Sequence, residues 1–411
     1  MFEVFEKNES NVRSYCRNFP AKFDLAKNAE LFTEDNKRYI DFFAGAGAMN
    51  YGHNNPYIKN AILEYLSEDR IIHALDMYTV AKEKFIKTFK EKILEPRNLN
   101  YKTMFCGSTG TNAVEAALKL SRKNKHRSNI IAFAGAFHGM SLGSLALTTD
   151  RNSRAGAVVN LPNVSFVPFD NHMSIDYLHW ALEDDHSGID KPAAIFLETL
   201  QAEGGVNVAN INWLKDLKRL CEEHDIMLVV DDVQVGNWRT GTFFSFEKAG
   251  IEPDMVILSK SISGFGLPMS ILLMKPELDI FSPAEHNGTF RGQQLAFVGA
   301  TAAIEYSEKF NLQQQVTTKE KIVKEFLEKE ILPLNDKLSV RGKGLIWGID
   351  FHEINSEISK EVMKACFNNN LVIERSGRGD SVIKIMPPLT IEENVLTEGL
   401  EIIKDSIIKA L

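Results

Sequence analysis

Asp254-Met-Val-Ile-Leu-Ser-Lys260-Ser-Ile-Ser-Gly-Phe-Gly266 carries four consecutive apolar residues, then a lysine, then a small glycine-bearing loop. Twenty-nine residues before Lys260 a second run of the same design, Met227-Leu-Val-Val-Asp-Asp232, ends in two aspartates. Apolar runs without polar alternation suit strands buried on both faces, the condition of strands in a parallel sheet flanked by helices. Outward from this pair the design repeats, giving candidate strands at 129–133, 165–168, 193–197, 227–230, 255–258 and 269–273. Helical periods lie between them. Val114, Ala117 and Leu118 fall at i, i+3 and i+4, with Asn112 and Glu115 placed as a cap pair. Trp213, Leu214, Leu217, Leu220 and Cys221 make a second stripe between Asn210 and His224. This alternation predicts an α/β fold with an open, mostly parallel sheet and helices on both faces. Ligands of such sheets bind beyond the carboxyl ends of the strands. Glu198, Asp231 and Lys260 each stand at such an end.

The flanking segments read differently. An amphipathic helix is expected at 319–329, then strands near 338–341, 345–351, 372–373 and 381–385, a helix near 360–368, and a last helix from about Glu392. Short strands at 30–32 and 38–42 surround the turn Glu34-Asp-Asn-Lys37. The expected division is an amino-terminal segment, 1–50, packing with a small α+β domain, 306–411, around a large ligand-binding domain, 51–305. No long polar linker separates them, so the units should be firmly apposed.

Composition narrows the function. The chain has 411 residues, 44% hydrophobic and 25% charged, enough for a large core. Its net charge of -8 advertises no basic face for nucleic acid or anionic lipid. The start, Met1-Phe-Glu-Val-Phe-Glu-Lys-Asn-Glu, is too acidic and too broken for a targeting peptide, and no apolar run approaches the roughly 20 residues of a membrane span. Cys16, Cys106, Cys221 and Cys366 are far apart, which points to free thiols in a reducing cytoplasm. His53 and His73 lack partners at metal-ligand spacing, so no metal is expected.

The rim residues point to a chemistry. An amine and a carboxylate at one sheet edge are what pyridoxal phosphate chemistry requires: the amine bonds the aldehyde, and the carboxylate keeps the pyridine nitrogen protonated. Lys260, between Ser259 and Ser261, and Asp231 fill those roles. Gln234 is placed to reach the phenolic oxygen and Val233 to press on a ring face. Cys106-Gly-Ser-Thr-Gly-Thr-Asn112 feeds a helix amino terminus, a ready anion site or a plain N-cap. An apolar strand ending in two aspartates also suits a magnesium-holding nucleotide hydrolase, but the chain has no phosphate loop of the G-x-x-x-x-G-K-[ST] kind. Ala136-Phe137-His138-Gly139-Met-Ser141-Leu-Gly143 allows two readings. Phe137 covers a flat cofactor, or Gly139-x-Ser141-x-Gly143 is the nucleophile elbow of a serine hydrolase. The second needs a late histidine, and His224 and His286 are poorly placed for it. Gly45-Ala-Gly47 is too short for a dinucleotide fingerprint.

Together these motifs resemble the class III, ω-type aminotransferases of the pyridoxal phosphate fold-type I group, over nearly the whole chain. The resemblance implies a large domain with a seven-stranded sheet plus a smaller domain. It puts Gly110 and Thr111 at the cofactor phosphate, Phe137 and His138 at its ring, and Glu198 and Glu203 in the acidic segment Glu198-Thr-Leu-Gln-Ala-Glu-Gly-Gly205. Thr289, in His286-Asn-Gly-Thr-Phe-Arg-Gly292, matches a threonine that reaches the phosphate of a neighbouring subunit, implying a homodimer with shared active sites. Asn11-Val-Arg-Ser-Tyr-Cys-Arg-Asn-Phe-Pro20, Asp231-Asp-Val-Gln-Val-Gly236 and Lys384-Ile-Met-Pro-Pro-Leu-Thr390 narrow the likeness to a branch that exchanges amino groups between glutamate and aspartate 4-semialdehyde, in ectoine synthesis. Lys384 stands where many relatives place a carboxylate-clamping arginine; a lysine keeps the charge and loses the bidentate fork. Arg239 and Arg291 are other candidate cations. Asn237-Trp238 replaces the usual small residues, so Trp238 is expected to reshape the pocket. Other ω-aminotransferase specificities (acetylornithine, ornithine, 4-aminobutyrate) fit the same motifs.

Overall fold

The structure, a computed structural model, describes residues 2–170 and 172–411. Its central sheet has seven strands: β1 (Lys102–Gly107), β2 (Ile130–Phe133), β3 (Val164–Val167), β4 (Ala194–Leu197), β5 (Met227–Asp231), β6 (Met255–Leu258) and β7 (Ser270–Met274). Their spatial order is β1-β7-β6-β5-β4-β2-β3. The run from β6 to β3 is parallel, while β7 is antiparallel to both β6 and β1. Six strands follow the apolar runs. β1 was not among them: Lys102-Thr-Met-Phe-Cys-Gly lies at the sheet edge, mostly half-buried, and its composition is correspondingly mixed.

Residues along each inner strand alternate between two cores. Phe133, Leu197, Val230, Leu258 and Leu273 face one layer with Trp213 and Leu217 of the helix Ile211–Glu223. Ala132, Phe196, Val229, Ile257 and Leu272 face the other with Ala113, Val114 and Ala117 of the helix Gly110–Lys125. Burial on both faces is why these strands lack polar alternation. The helix Gly110–Lys125 starts two residues before the expected cap. Thr109 is its N-cap, and the backbone N–H of Thr109 donates to Asn112 Oδ1 at 3.1 Å. Glu115 is therefore free of capping.

Strands Phe23–Lys27, Glu30–Thr33 and Arg38–Asp41 form a small sheet completed by Leu371–Val372, which pairs parallel with Arg38–Asp41. The carboxyl-terminal part builds another sheet from β8 (Ser339–Lys343), β9 (Ile346–Asp350), β10 (Glu374–Ser376) and β11 (Val382–Ile385), in the order β8-β9-β11-β10. β10 had no counterpart in the sequence reading. The helix expected at 319–329 runs earlier, Leu312–Phe326, and the last is Glu393–Ala410. Among the described residues no helix is long and apolar enough to cross a membrane.

Candidate active site

The carboxyl ends of β4, β5 and β6 meet at a cavity of about 310 Å³. Its wall includes Gly110, Thr111, Phe137, His138, Glu198, Glu203, Asp231, Val233, Gln234 and Lys260. Ten of the residues singled out in the sequence are thus brought together. The parallel sheet does this directly, because parallel strands deliver their carboxyl ends to one rim.

Lys260 follows β6 in a left-handed backbone conformation, φ 52°, unusual for a residue with a side chain. Its serine neighbours hold it there. Ser259 Oγ donates to Met269 O at 2.9 Å, and Ser261 Oγ donates to Gly47 O at 2.6 Å while accepting from Asn50 N at 3.1 Å. Both serines are buried, which explains small residues flanking the lysine. Among the described residues Lys260 Nζ makes no hydrogen bond or ion pair. Burial pushes its pKa below the usual lysine range, Glu203 opposes this and Lys384 adds to it. An amine so placed is primed to be an uncharged nucleophile.

Asp231 closes β5 and is buried. Its Oδ2 accepts from His138 Nδ1 at 2.8 Å, and its Oδ1 from Val233 N at 3.1 Å. Burial alone would lower the imidazole; the Asp231 hydrogen bond and charge outweigh it and raise His138. Glu198 Oε2 accepts from Phe137 N at 3.0 Å. Burial, reinforced by Asp231 and Glu203, pushes Glu198 up to about 8.

At the opposite end of the motif set, the helix Gly110–Lys125 points its amino terminus into the cavity. A Cβ at Gly110 would lie 3.1 Å from both Val233 methyl groups, so glycine lets backbone N–H groups and the valine approach together. Thr111 Oγ1 bonds Ser141 Oγ at 2.7 Å and also contacts Ser144, and Ser141 Oγ donates to Glu115 Oε1 at 2.5 Å. A Cβ at Gly143 would collide with Glu115 at 2.2 Å. The Gly139–Gly143 segment is therefore a loop pinned to the helix by hydroxyls and a carboxylate. Ser141 contacts no histidine among the described residues, and His138 is spent on Asp231. The elbow reading of this segment has no base to support it.

Glu203 links the cavity to an ion cluster. Its Oε1 accepts from Lys384 Nζ at 2.7 Å and from Gln234 Nε2 at 3.1 Å. Lys384 also stands 2.9 Å from Glu374 Oε1. Burial would depress Lys384, but the two carboxylates more than offset it and raise the amine, while Lys384 and Lys260 hold Glu203 below its ordinary value against burial. Glu374 was missed in the sequence. A charged residue on a three-residue strand reads as solvated, and only its alternation with the buried Ser376 hints otherwise.

Other candidates lie elsewhere. Arg239 is fully buried, donating from Nη1 to Leu345 O (2.9 Å) and Pro387 O (2.5 Å) and from Nη2 to Asn50 Oδ1 (2.6 Å). It ties three chain segments together and does not line the cavity. Arg291 lines a different cavity with Asp76, Lys82 and His286. Trp238, expected to reshape the pocket, packs away from it against Phe243, under the Arg97 guanidinium. Thr289 is also outside the cavity; its carbonyl meets His73 Nε2 at 3.0 Å beside the exposed Phe290.

The residues fit pyridoxal phosphate. Among the described residues the Lys260 amine is unpaired and Gln234 Oε1 is buried without a partner, and a capped helix terminus offers N–H groups to an anion in the same cavity. Comparison with known proteins agrees. A family model described as "Aminotransferase class-III" matches residues 13–407. A protein of Wolinella succinogenes named diaminobutyrate--2-oxoglutarate transaminase is 52% identical over 410 residues, spanning 98% of this chain and 95% of its own length. One of the same name from Halalkalibacterium halodurans is 50% identical, with 99% and 96% covered. Among solved structures, the ornithine aminotransferase of Toxoplasma gondii superposes with TM-score 0.86 at 23% identity, covering all of this chain and 94% of the other. The acetylornithine aminotransferase of Elizabethkingia anophelis superposes with TM-score 0.79 at 25% identity, covering 99% and 98%.

Proposed function

This chain belongs to the class-III aminotransferases, pyridoxal phosphate-dependent enzymes, and we propose that it exchanges an amino group between glutamate and aspartate 4-semialdehyde, giving 2-oxoglutarate and 2,4-diaminobutyrate. The substrate pair rests on the diaminobutyrate transaminases, about half identical to it over their whole lengths. The observation that carries the chemistry is the convergence of Lys260, Asp231 and the Gly110 helix terminus on one cavity.

Pyridoxal phosphate, when bound, supplies an aldehyde for amines and a ring that accepts the electron pair of a breaking C–H bond. The chain's residues do the rest. Lys260 would hold the cofactor and is placed to move a proton at Nζ; its lowered pKa keeps a basic fraction available. Asp231, oriented by His138, would keep the ring nitrogen protonated. Gly110 and Thr111 would receive the phosphate and Gln234 the phenolic oxygen, and Phe137 and Val233 form walls of the cavity. Glu203 and Lys384 answer to the substrate carboxylates.

The reading extends to a homodimer in which Thr289 serves the partner's site. Supporting it, the loop carrying Thr289 packs on a segment with exposed Leu75, Met77, Tyr78 and Val80, an apolar surface of the kind that marks an interface. Small oxo and amino acids are the partners, an ectoine-type route the setting and the cytoplasm the location. The deciding experiment incubates purified protein with glutamate and aspartate 4-semialdehyde and identifies products by mass. 2,4-Diaminobutyrate with stoichiometric 2-oxoglutarate is expected. Efficient use of acetylornithine, ornithine or 4-aminobutyrate, with no diaminobutyrate formed, moves the chain to another specificity.

A further inference from the structure

Lys384 and Glu374 are directly opposed on the antiparallel strands β11 and β10. Cross-strand partners on one face lie about 5 Å apart at Cβ, so their pairing is set by backbone register and does not depend on a flexible loop. Glu203 is different. Its backbone is anchored, with Gly377 N donating to Glu203 O at 2.9 Å, but its side chain is 33% exposed where the Lys384 side chain is 0%. Glu203 lines the cavity; Lys384 and Glu374 lie behind it. A substrate carboxylate therefore meets Glu203 first and reaches Lys384 only as that side chain turns, for which Gln234 offers a second partner.

Two carboxylates face one ammonium here. Glu374 Oε1 sits 2.9 Å from Lys384 Nζ; burial, with Glu203 adding to it, raises the Glu374 carboxyl to about 7, and the Lys384 ammonium opposes this and favours its charged, counter-ion form. We propose that Glu374 is a specificity-determining residue: it keeps Lys384 neutralised throughout, so a substrate carboxylate is captured weakly, in exchange for Glu203, and not by a bare cation. This inference rests on the transaminase reading above. An enzyme that accepts a dicarboxylate in one half-reaction and a dicationic amine in the other gains from an anion clamp that lets go. At an effective dielectric of about 20, a unit charge about 12 Å from an arriving carboxylate is worth about tenfold in affinity and a nearer one more, so tenfold is the lower bound expected here.

The test uses glutarate, a dicarboxylate with no amine, and calorimetric titration of the cofactor-loaded enzyme. Glu374→Gln should bind glutarate at least about tenfold more tightly than wild type, while amino transfer from 2,4-diaminobutyrate, followed by visible absorbance, is not accelerated. Glu374→Asp, which keeps the charge but draws it back from Nζ, should show a smaller tightening. Glutarate affinity that is unchanged or weaker in Glu374→Gln overturns the proposal. If that variant does not fold, Glu374→Asp decides, and no tightening there overturns it equally. Amino transfer from glutamate is measured on the same wild-type preparation. Its absence defeats the functional reading and this inference with it, whereas its presence with flat glutarate affinities defeats the inference alone.

Discussion

His138 Nδ1 and Asp231 Oδ2 meet at 2.8 Å inside a buried pair, with the other carboxylate oxygen fixed by Val233 N. The acid proposed to serve a ring nitrogen needs its plane held, and these two donors hold it. His138→Ala is expected to leave the fold intact and lower kcat/KM by about one to two orders of magnitude, because a small misplacement at the reacting centre costs about 100-fold. Asp231→Asn should be worse. Steady-state kinetics beside circular dichroism check both; equal, mild losses would mean the carboxylate is not oriented by the imidazole.

Lys260 is the one cavity amine with no ion pair or hydrogen bond among the described residues. Lys260→Ala should abolish borohydride trapping of the cofactor and cut turnover by at least about 1000-fold, as expected for loss of both covalent attachment and proton transfer. Turnover near wild type in that variant overturns the role given to this residue.

Ser141 sits on a hydroxyl network ending at Glu115, with no histidine in contact among the described residues. Ser141→Ala should therefore retain amino transfer and lose about 1 kcal/mol of stability for the part-buried hydrogen bonds. A fluorophosphonate probe should leave Ser141 unlabelled; stoichiometric labelling there would restore the hydrolase reading.

The inner strands of the sheet were legible because burial on both faces forces uninterrupted apolar runs, and their ends named Glu198, Asp231 and Lys260. Two of the differences share one cause: charge in the sequence reads as exposure. Arg239 looked like a substrate cation, but carbonyls and Asn50 turn a buried guanidinium into an internal tie. Glu374 went unnoticed because strand β10 is three residues long and begins with that acid. Trp238 was expected to reshape the pocket because it stands where relatives carry small residues, yet left-handed residues Asn237 and Trp238, φ 51° and 71°, turn the chain away from the cavity. The capping of the first sheet helix slipped because Thr109 and Asn112 are both good cap residues, and only the paired backbone N–H chooses between them.

Arg239 should behave as a structural residue. Arg239→Met leaves Leu345 O, Pro387 O and Asn50 Oδ1 without their donor, at a cost of about 3 kcal/mol, since each unmet buried acceptor carries about 1 kcal/mol or more. Urea unfolding measures this. KM for glutamate in the folded fraction should stay near wild type; a large rise in KM with unchanged stability would return Arg239 to the substrate site.

Glu198 gives a pH signature of known sign. Burial, with Asp231 and Glu203 adding to it, raises this carboxyl from 4.5 to about 8 in the folded protein. A raised acid keeps its proton in the folded state after the unfolded chain has released it. Its contribution to stability is therefore complete below about 4.5 and drains away as pH rises toward 8. Glu198→Gln removes the titration and keeps the shape. In cofactor-stripped protein the variant and wild type should unfold at similar urea concentrations at pH 5, with the variant more stable at pH 8 by about 2–4 kcal/mol. A stability gap independent of pH, or one that favours wild type as pH rises, would show that Glu198 is ionised in the fold and paired with a charge that the cavity geometry does not reveal.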